Sequence, residues 1–281
     1  MNRKTLDFNL GFDKTNKLIN YGFTSKFGPG DLPIEKRNKK ITGIIAPNYH
    51  YKASTSALAW AYKEIAESRI PDVYLILGRD LLGKNKFSTF MFSDWETSFG
   101  SVIVDGAFGN SLMKCFSLIK NSYDAFENNY TIDIQLPFLQ FANRGSLDKI
   151  RFLPVLIGNV SHKEICEFAD VVTDIQKNIY VICSSNLTYY GKEYNYVPFL
   201  HGIKQNIYAK DSQLLSFMSR LDVKRFLDTT KRGAFLDRNV IALFMELMRG
   251  FGLRKGKILS YYTSGDIEGY ENSVSFGVVV F

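Results

Sequence analysis

The chain has 281 residues, of which 46% are hydrophobic and 22% charged, with a formal net charge of +7. That length suits one large α/β domain or two small ones, and the composition is that of an ordinary soluble globular protein. No apolar stretch approaches the roughly 18 residues of a membrane span, and three scattered cysteines argue against a disulfide framework and for a reducing cytoplasm.

The N-terminus is basic at first, but no apolar h-region or small-residue cleavage site follows, so no signal peptide is expected. Residues 1 to about 40 read as an irregular wrapping arm of the same domain, punctuated by Gly22, Gly28, Pro29, Gly30 and Pro33. Residues 41–46 form a short buried strand. Ser54 is placed to cap a helix in which Ala57, Leu58, Ala61, Ile65 and Ala66 recur at helical spacing. Residues 73–77 are the next strand, and the strand–helix–strand unit implies parallel pairing with a right-handed crossover.

Strands are then expected at 87–92 and 101–104, and a helix at 109–119. Residues 132–141 are apolar and broken by Pro137. A strand at 152–157 precedes a helix capped by Ser161, and 179–183 is a strong buried strand. A helix from about Arg238 to Gly250 and strands at 258–262 and 274–280 complete the pattern. Residues 41–281 therefore predict one α/β domain, with a central mixed, largely parallel sheet flanked by helices.

The basic clusters Lys36-Arg37-Asn38-Lys39-Lys40 and Arg254-Lys255-Gly256-Lys257 read as solvated surface. No nucleic-acid motif accompanies them, so neither a nucleic-acid nor a membrane partner is expected.

Three apolar runs open into polar loops: Pro47-Asn48-Tyr49-His50-Tyr51, Gly78-Arg79-Asp80 and Ser184-Ser185-Asn186. In open α/β sheets, ligands sit outside the carboxyl ends of the strands. The loops supply one histidine, one free carboxylate and no cysteine, which is poor equipment for a metal site. Ser184 and Ser185 lack the Gly-x-Ser-x-Gly elbow and read as backbone-satisfying hydroxyls. Arg79 can hold a carboxylate or phosphate through two hydrogen bonds, or pair with a neighbouring acid.

If the segment around Ile132 is extended, Asp133 and Gln135 share one side, either as hydrogen-bond anchors or as a pocket wall. Asn186 and Tyr189 present polar groups and a ring at a third strand end. His162 and His201 read as surface or packing histidines, and Cys166 and Cys183 as small buried hydrophobes.

Several segments together resemble the MEMO family, also known as AmmeMemoRadiSam system protein B. They are Ile44-Ile45-Ala46-Pro47-Asn48-Tyr49-His50-Tyr51, Ile76-Leu77-Gly78-Arg79-Asp80-Leu81-Leu82, Trp95-Glu96-Thr97-Ser98-Phe99-Gly100, Ile132-Asp133-Ile134-Gln135-Leu136-Pro137-Phe138-Leu139, Ser184-Ser185-Asn186-Leu187-Thr188-Tyr189-Tyr190-Gly191 and Tyr262-Thr263-Ser264-Gly265-Asp266. The resemblance covers about residues 40 to 281 and implies a fold like that of the class III extradiol dioxygenases, which are non-haem iron enzymes.

The resemblance also places the family's metal-site histidine, second histidine and cysteine at Asn48, Leu81 and Leu236. The family's aspartate and the histidine three residues later fall at Asn186 and Tyr189. The histidine of its Glu-His-Ser segment falls at Tyr130, with Asn129 in place of the glutamate. Leucine cannot ligate a metal, and a neutral asparagine is a poor ligand for a transition metal.

The leading expectation is a MEMO-like binding protein or pseudoenzyme with a degenerate cleft, no metal and no cofactor. Asn48, His50, Arg79, Asp80, Asp133, Gln135, Asn186 and Tyr189 line that cleft and hold a small molecule or peptide. The second expectation is a metal-independent enzyme using His50 as acid/base with Asp80 or Asp133, or a non-haem iron dioxygenase-like oxidoreductase. The third, carried by the resemblance alone, is a protein partner in a radical-SAM-associated modification system. The oligomeric state stays open.

Overall fold

Residues 73–77 are apolar at every position because both of their faces are covered. Tyr74 and Ile76 point into one hydrophobic cluster, while Val73, Leu75 and Leu77 point into another. Each such side chain is fully buried, a gain of roughly 1.5–3 kcal/mol apiece for the aliphatic ones.

The computed structural model describes residues 2–34, 37–231, 233 and 235–281. Lys36, the first residue of one basic cluster, and Met1 lie outside that set. The strands are β1 (Arg3–Lys4), β2 (Gly43–Ala46), β3 (Val73–Arg79), β4 (Phe87–Thr89), β5 (Trp95–Thr97), β6 (Gly100–Val104), β7 (Ile119–Asn121), β8 (Arg151–Ile157), β9 (Ile179–Ser184), β10 (Tyr189–Gly191), β11 (Lys257–Thr263) and β12 (Asn272–Val280). The helices are α1 (Phe12–Thr24), α2 (Tyr51–Glu67), α3 (Gly106–Cys115), α4 (Leu136–Ala142), α5 (His162–Asp174), α6 (Ile203–Ser219), α7 (Val223–Thr229), α8 (Arg238–Gly250) and α9 (Gly265–Glu268).

The strands form one mixed sheet in the order β1-β5-β6-β8-β3-β9-β2-β12-β10. Its centre, β6-β8-β3-β9-β2, is parallel. The antiparallel strand β12 then lies against β2, with β11 on its flank. Helices α1, α2 and α4 cover one face, and α3, α5, α6, α7 and α8 cover the other. The expected α/β class and largely parallel sheet are therefore present. No helix among the described residues is long and apolar enough to cross a membrane.

Several local expectations are corrected. Residues 1 to 40 are not irregular throughout. They supply β1 at the sheet edge, a 3-10 turn at Leu6–Leu10 and the helix α1. Gly22, read as punctuation, lies inside α1. A Cβ there would stand 2.6 Å from the Thr55 carbonyl oxygen, so the glycine permits close approach of α1 to α2 rather than ending a helix.

Helix α2 begins at Tyr51, and the Ser54 hydroxyl instead donates to the carbonyls of Tyr49 at 2.7 Å and His50 at 3.2 Å. The strand expected at 87–92 stops at Thr89. Helix α3 starts earlier than expected, because Asp105 caps it by accepting from the Phe108 N–H at 2.9 Å. Helices α6 and α7 fill a stretch where no element was read. Ser161 does cap α5, in a reciprocal pair with Glu164.

The segment around Ile132 is not extended. Asp133–Gln135 is a 3-10 turn leading directly into α4, with Pro137 in the first helical turn, where its missing N–H costs nothing. Asp133 and Gln135 consequently point in different directions.

The basic cluster at Arg37 and Lys39 is more structural than expected. Arg37 donates to Asn143 Oδ1 at 2.9 Å and to the Ala142 carbonyl at 3.1 Å, and Lys39 pairs with Glu64 and Glu67 at 2.7 Å each.

Strands β2, β9 and β3 are adjacent, with Ala46 opposite Ser184 and Leu77 opposite Cys183. Their carboxyl ends emerge side by side. The three polar loops therefore share one rim of the sheet.

Candidate functional site

At that rim the loop residues bind one another. The Asn48 N–H donates to Asn186 Oδ1 at 3.1 Å, and Asn48 Nδ2 donates to the Ser184 carbonyl at 2.9 Å. Asn186 Nδ2 donates in turn to Asn48 Oδ1 at 2.5 Å and to the Tyr189 hydroxyl at 2.9 Å. Asn186 and Tyr189 are buried, and burial together with a nearby carboxylate holds the Tyr189 phenol protonated.

That carboxylate is Asp237, which no sequence reading singled out. It is fully buried at the N-terminal end of α8. Its Oδ2 accepts from the Asn186 N–H at 2.8 Å and from the Tyr189 hydroxyl at 3.2 Å. Its Oδ1 lies 3.3 Å from Arg79 Nε. Burial pushes the Asp237 carboxyl above the usual carboxylate range, while Arg79 and the donated hydrogen bonds pull it back. An aspartate just before a periodic apolar run is a helix-cap signal. That signal locates Asp237 in the sequence but does not reveal that its side chain turns away from the helix toward Arg79.

Arg79 ends β3 and is about three-quarters buried, and Asp237 is its one ion-pair partner among the described residues. It lines a cleft of about 420 Å³ together with Asp80, Leu81, Phe235, Leu236 and Arg238. Leu81 and Leu236 stand at its walls, 48% and 43% exposed. Asp80 accepts from the N–H groups of Leu82 at 2.9 Å and Gly83 at 3.0 Å, which shapes the turn after β3.

Behind the rim, Gln135 is fully buried. It donates to the Pro47 carbonyl at 2.8 Å and to Ser184 Oγ at 2.7 Å, and accepts from the Tyr62 hydroxyl at 2.9 Å. Its role is to tie α4 to the first and third loops. Asn129 donates to the Arg79 carbonyl at 2.8 Å. Tyr130 is exposed.

The structure does not unite all the expected residues. His50 is half exposed at the start of α2 and meets Glu268 at 3.5 Å, not Asp80 or Asp133. Asp133 lies 1% exposed, with Arg3 Nη1 at 3.1 Å from each of its oxygens, and borders a different cavity of about 320 Å³ beside β1. Of the two cysteines expected to be buried, only Cys183 is; Cys166 is half-buried on α5 beside His162.

Desolvation outweighs the Arg3 charge at Asp133 and pushes its carboxyl up to about 6. A carboxyl raised on folding takes a proton more readily in the native state. Its stabilising contribution is therefore present at low pH and is lost as pH rises from 3.8 to about 6. We expect urea unfolding at stepped pH to show this loss, of roughly 2–3 kcal/mol at most. Asp133→Asn should flatten that limb; a variant curve parallel to the wild type would refute the assignment.

The model of the Memo-like protein family matches residues 11–280. The chain belongs to the Memo-like family. The match starts earlier than the segments quoted above and takes in α1. A MEMO1 family protein of Methanopyrus kandleri is 29% identical over 278 residues, covering 96% of this chain and 93% of that protein. One of Nitrosopumilus maritimus is 27% identical, covering 96% and 94%. A third, of Pyrobaculum arsenaticum, is 22% identical over 277 residues. This Memo-like chain thus spans nearly the whole length of its relatives. At its rim Asn48, Asn186 and Tyr189 form a closed hydrogen-bonded group around Asp237, and Leu81 and Leu236 bring carbon rather than donor atoms.

Proposed function

We propose that this Memo-like protein is a binding protein whose cleft takes a carboxylate- or phosphate-bearing small molecule or peptide through Arg79, without a transition metal at the family's metal position. The observation that carries this reading is the Arg79–Asp237 pair at the strand ends. The residues at the family's metal position do not fit a metal. Leu81 and Leu236 have no donor atom, and the Asn48 amide is already engaged by Asn186. An arginine suits planar anions, because its fork offers two parallel donors.

Asp237 neutralises Arg79 when no anion is bound and orients it from behind. An incoming carboxylate or phosphate meets the terminal guanidinium nitrogens from the cleft side, with Leu81 and Leu236 supplying apolar walls. The enzyme reading through His50 gains no support, since its acidic neighbour is a half-buried surface glutamate outside the rim.

Calorimetric titration with inorganic phosphate and with succinate tests the proposal. The wild type is expected to bind, and Arg79→Met combined with Asp237→Asn, which removes both charges together, is expected to weaken binding at least about tenfold. Equal binding by both proteins would overturn it. So would stoichiometric iron, copper or zinc binding that persists in His162→Ala and is abolished by Asn48→Ala.

A further inference from the structure

On the face of the sheet covered by α5 and α8, three side chains converge that the cleft does not use. His162 and Cys166 are four residues apart on α5, so they stand one above the other on one side of the helix. Glu246 faces them from α8. His162 Nε2 lies 2.7 Å from Glu246 Oε1, and Cys166 Sγ lies 3.5 Å from His162 Nε2. One donor atom from each residue falls within 4.8 Å of the others.

We propose that His162, Cys166 and Glu246 bind a divalent d-block cation of borderline softness, of the zinc or cobalt(II) type, linking α5 to α8. A histidine and a glutamate alone would be a surface salt bridge. The sulfur adds a third donor within 4.8 Å of the other two, and an imidazole–thiolate–carboxylate set selects zinc-like ions over magnesium or calcium. Tetrahedral coordination at roughly 2.0–2.3 Å per bond separates ligand atoms by about 3.3–3.6 Å. The sulfur–nitrogen spacing is already there, and the nitrogen–oxygen spacing needs to open by about half an ångström.

The frame is firm where it matters. The reciprocal Ser161–Glu164 cap sets the first turn of α5, and Glu246 is buried midway along α8. The outer side is open, since His162 is about half exposed, which leaves water in the remaining position. On binding, the Cys166 thiol releases a proton to solvent, His162 coordinates as a neutral imidazole through the Nε2 lone pair with its ring proton on Nδ1, and no oxidation is involved. Arg249 competes, because its Nη1 holds the Glu246 oxygens at 3.3 and 3.0 Å. It is exposed and free to swing away.

Titrating the full-length reduced protein with cobalt(II), followed by optical absorption, tests the site. One equivalent is expected to raise a near-ultraviolet thiolate-to-cobalt band, which zinc then bleaches. Cys166→Ser should abolish the band, His162→Ala should weaken binding at least about tenfold, and Arg249→Ala should tighten it. Circular dichroism confirms that each variant is folded. Failure of the wild type to develop the band overturns the proposal. So does a band that survives Cys166→Ser, or one that Cys183→Ser removes instead.

Discussion

Replacing Asp237 with alanine is expected to destabilise the fold by about 3–5 kcal/mol, the range for breaking a buried ion pair from one side. The loss has three sources. Arg79 keeps a largely buried charge without its counter-ion, the Asn186 N–H loses its acceptor at 2.8 Å, and the Tyr189 hydroxyl loses its acceptor at 3.2 Å. Asp237→Asn should cost less, because an amide oxygen can still accept both hydrogen bonds of Oδ2, although the amide NH2 then faces Arg79 in place of Oδ1. Arg79→Met on top of Asp237→Ala should recover part of the stability, since an apolar side chain leaves no unpaired charge. Urea unfolding of the four proteins measures this directly. A loss below about 1 kcal/mol for the alanine variant would show that the pair is exposed and weak.

The second large effect is expected at Gln135. Gln135→Leu conserves most of the volume but strands three buried groups: the Pro47 carbonyl, the Ser184 hydroxyl and the Tyr62 hydroxyl. Each stranded group costs about 1–3 kcal/mol, partly recovered by local shifts and by the Ser184 bond to the Thr131 carbonyl. A net loss of about 3–4 kcal/mol is expected from the unfolding midpoint. Gln135→Glu tests the same contacts differently. It replaces the donating amide with an oxygen facing the Pro47 carbonyl, so it should be nearly as damaging. If Gln135→Leu is neutral, the residue does not tie α4 to the loops.

These residues show how unevenly the chain reveals itself. The strands at 73–77 and 179–183 were legible because burial on both faces leaves an unbroken apolar run. The bounds of α8, Arg238–Gly250, were legible because apolar spacing and a following Gly252 are both local signals. Helix α1 was missed for the opposite reason. Its buried stripe is narrow, and the glycine that allows it to touch α2 looks like a helix breaker until α2 is placed beside it.

The segment after Tyr130 misled because a short apolar run does not declare its period. Pro137 reads as a strand breaker unless it falls in the first turn of a helix, as it does here. At the site, Asn48, Arg79, Asn186 and Tyr189 were found because strand-end loops are visible in sequence. Asp237 and Glu246 were not, since each lies at or within a helix whose pattern explains it without reference to a site.

By itself the sequence determined the α/β class, the parallel core and the three loops at which the strands end, all of which depend on burial patterns a few residues long. The resemblance to the Memo-like family was also legible there. The tertiary structure decided which side chains meet. Asn48 and Asn186 are 138 positions apart, and their contact exists only because β2 and β9 lie side by side. The same dependence on strand and helix placement brings Asp237 to Arg79, and Glu246 to His162 and Cys166. Hydrophobic periodicity is a property of neighbouring residues, whereas a site is made by polar atoms within about 3–4 Å of each other, and only the completed fold places distant residues at that range.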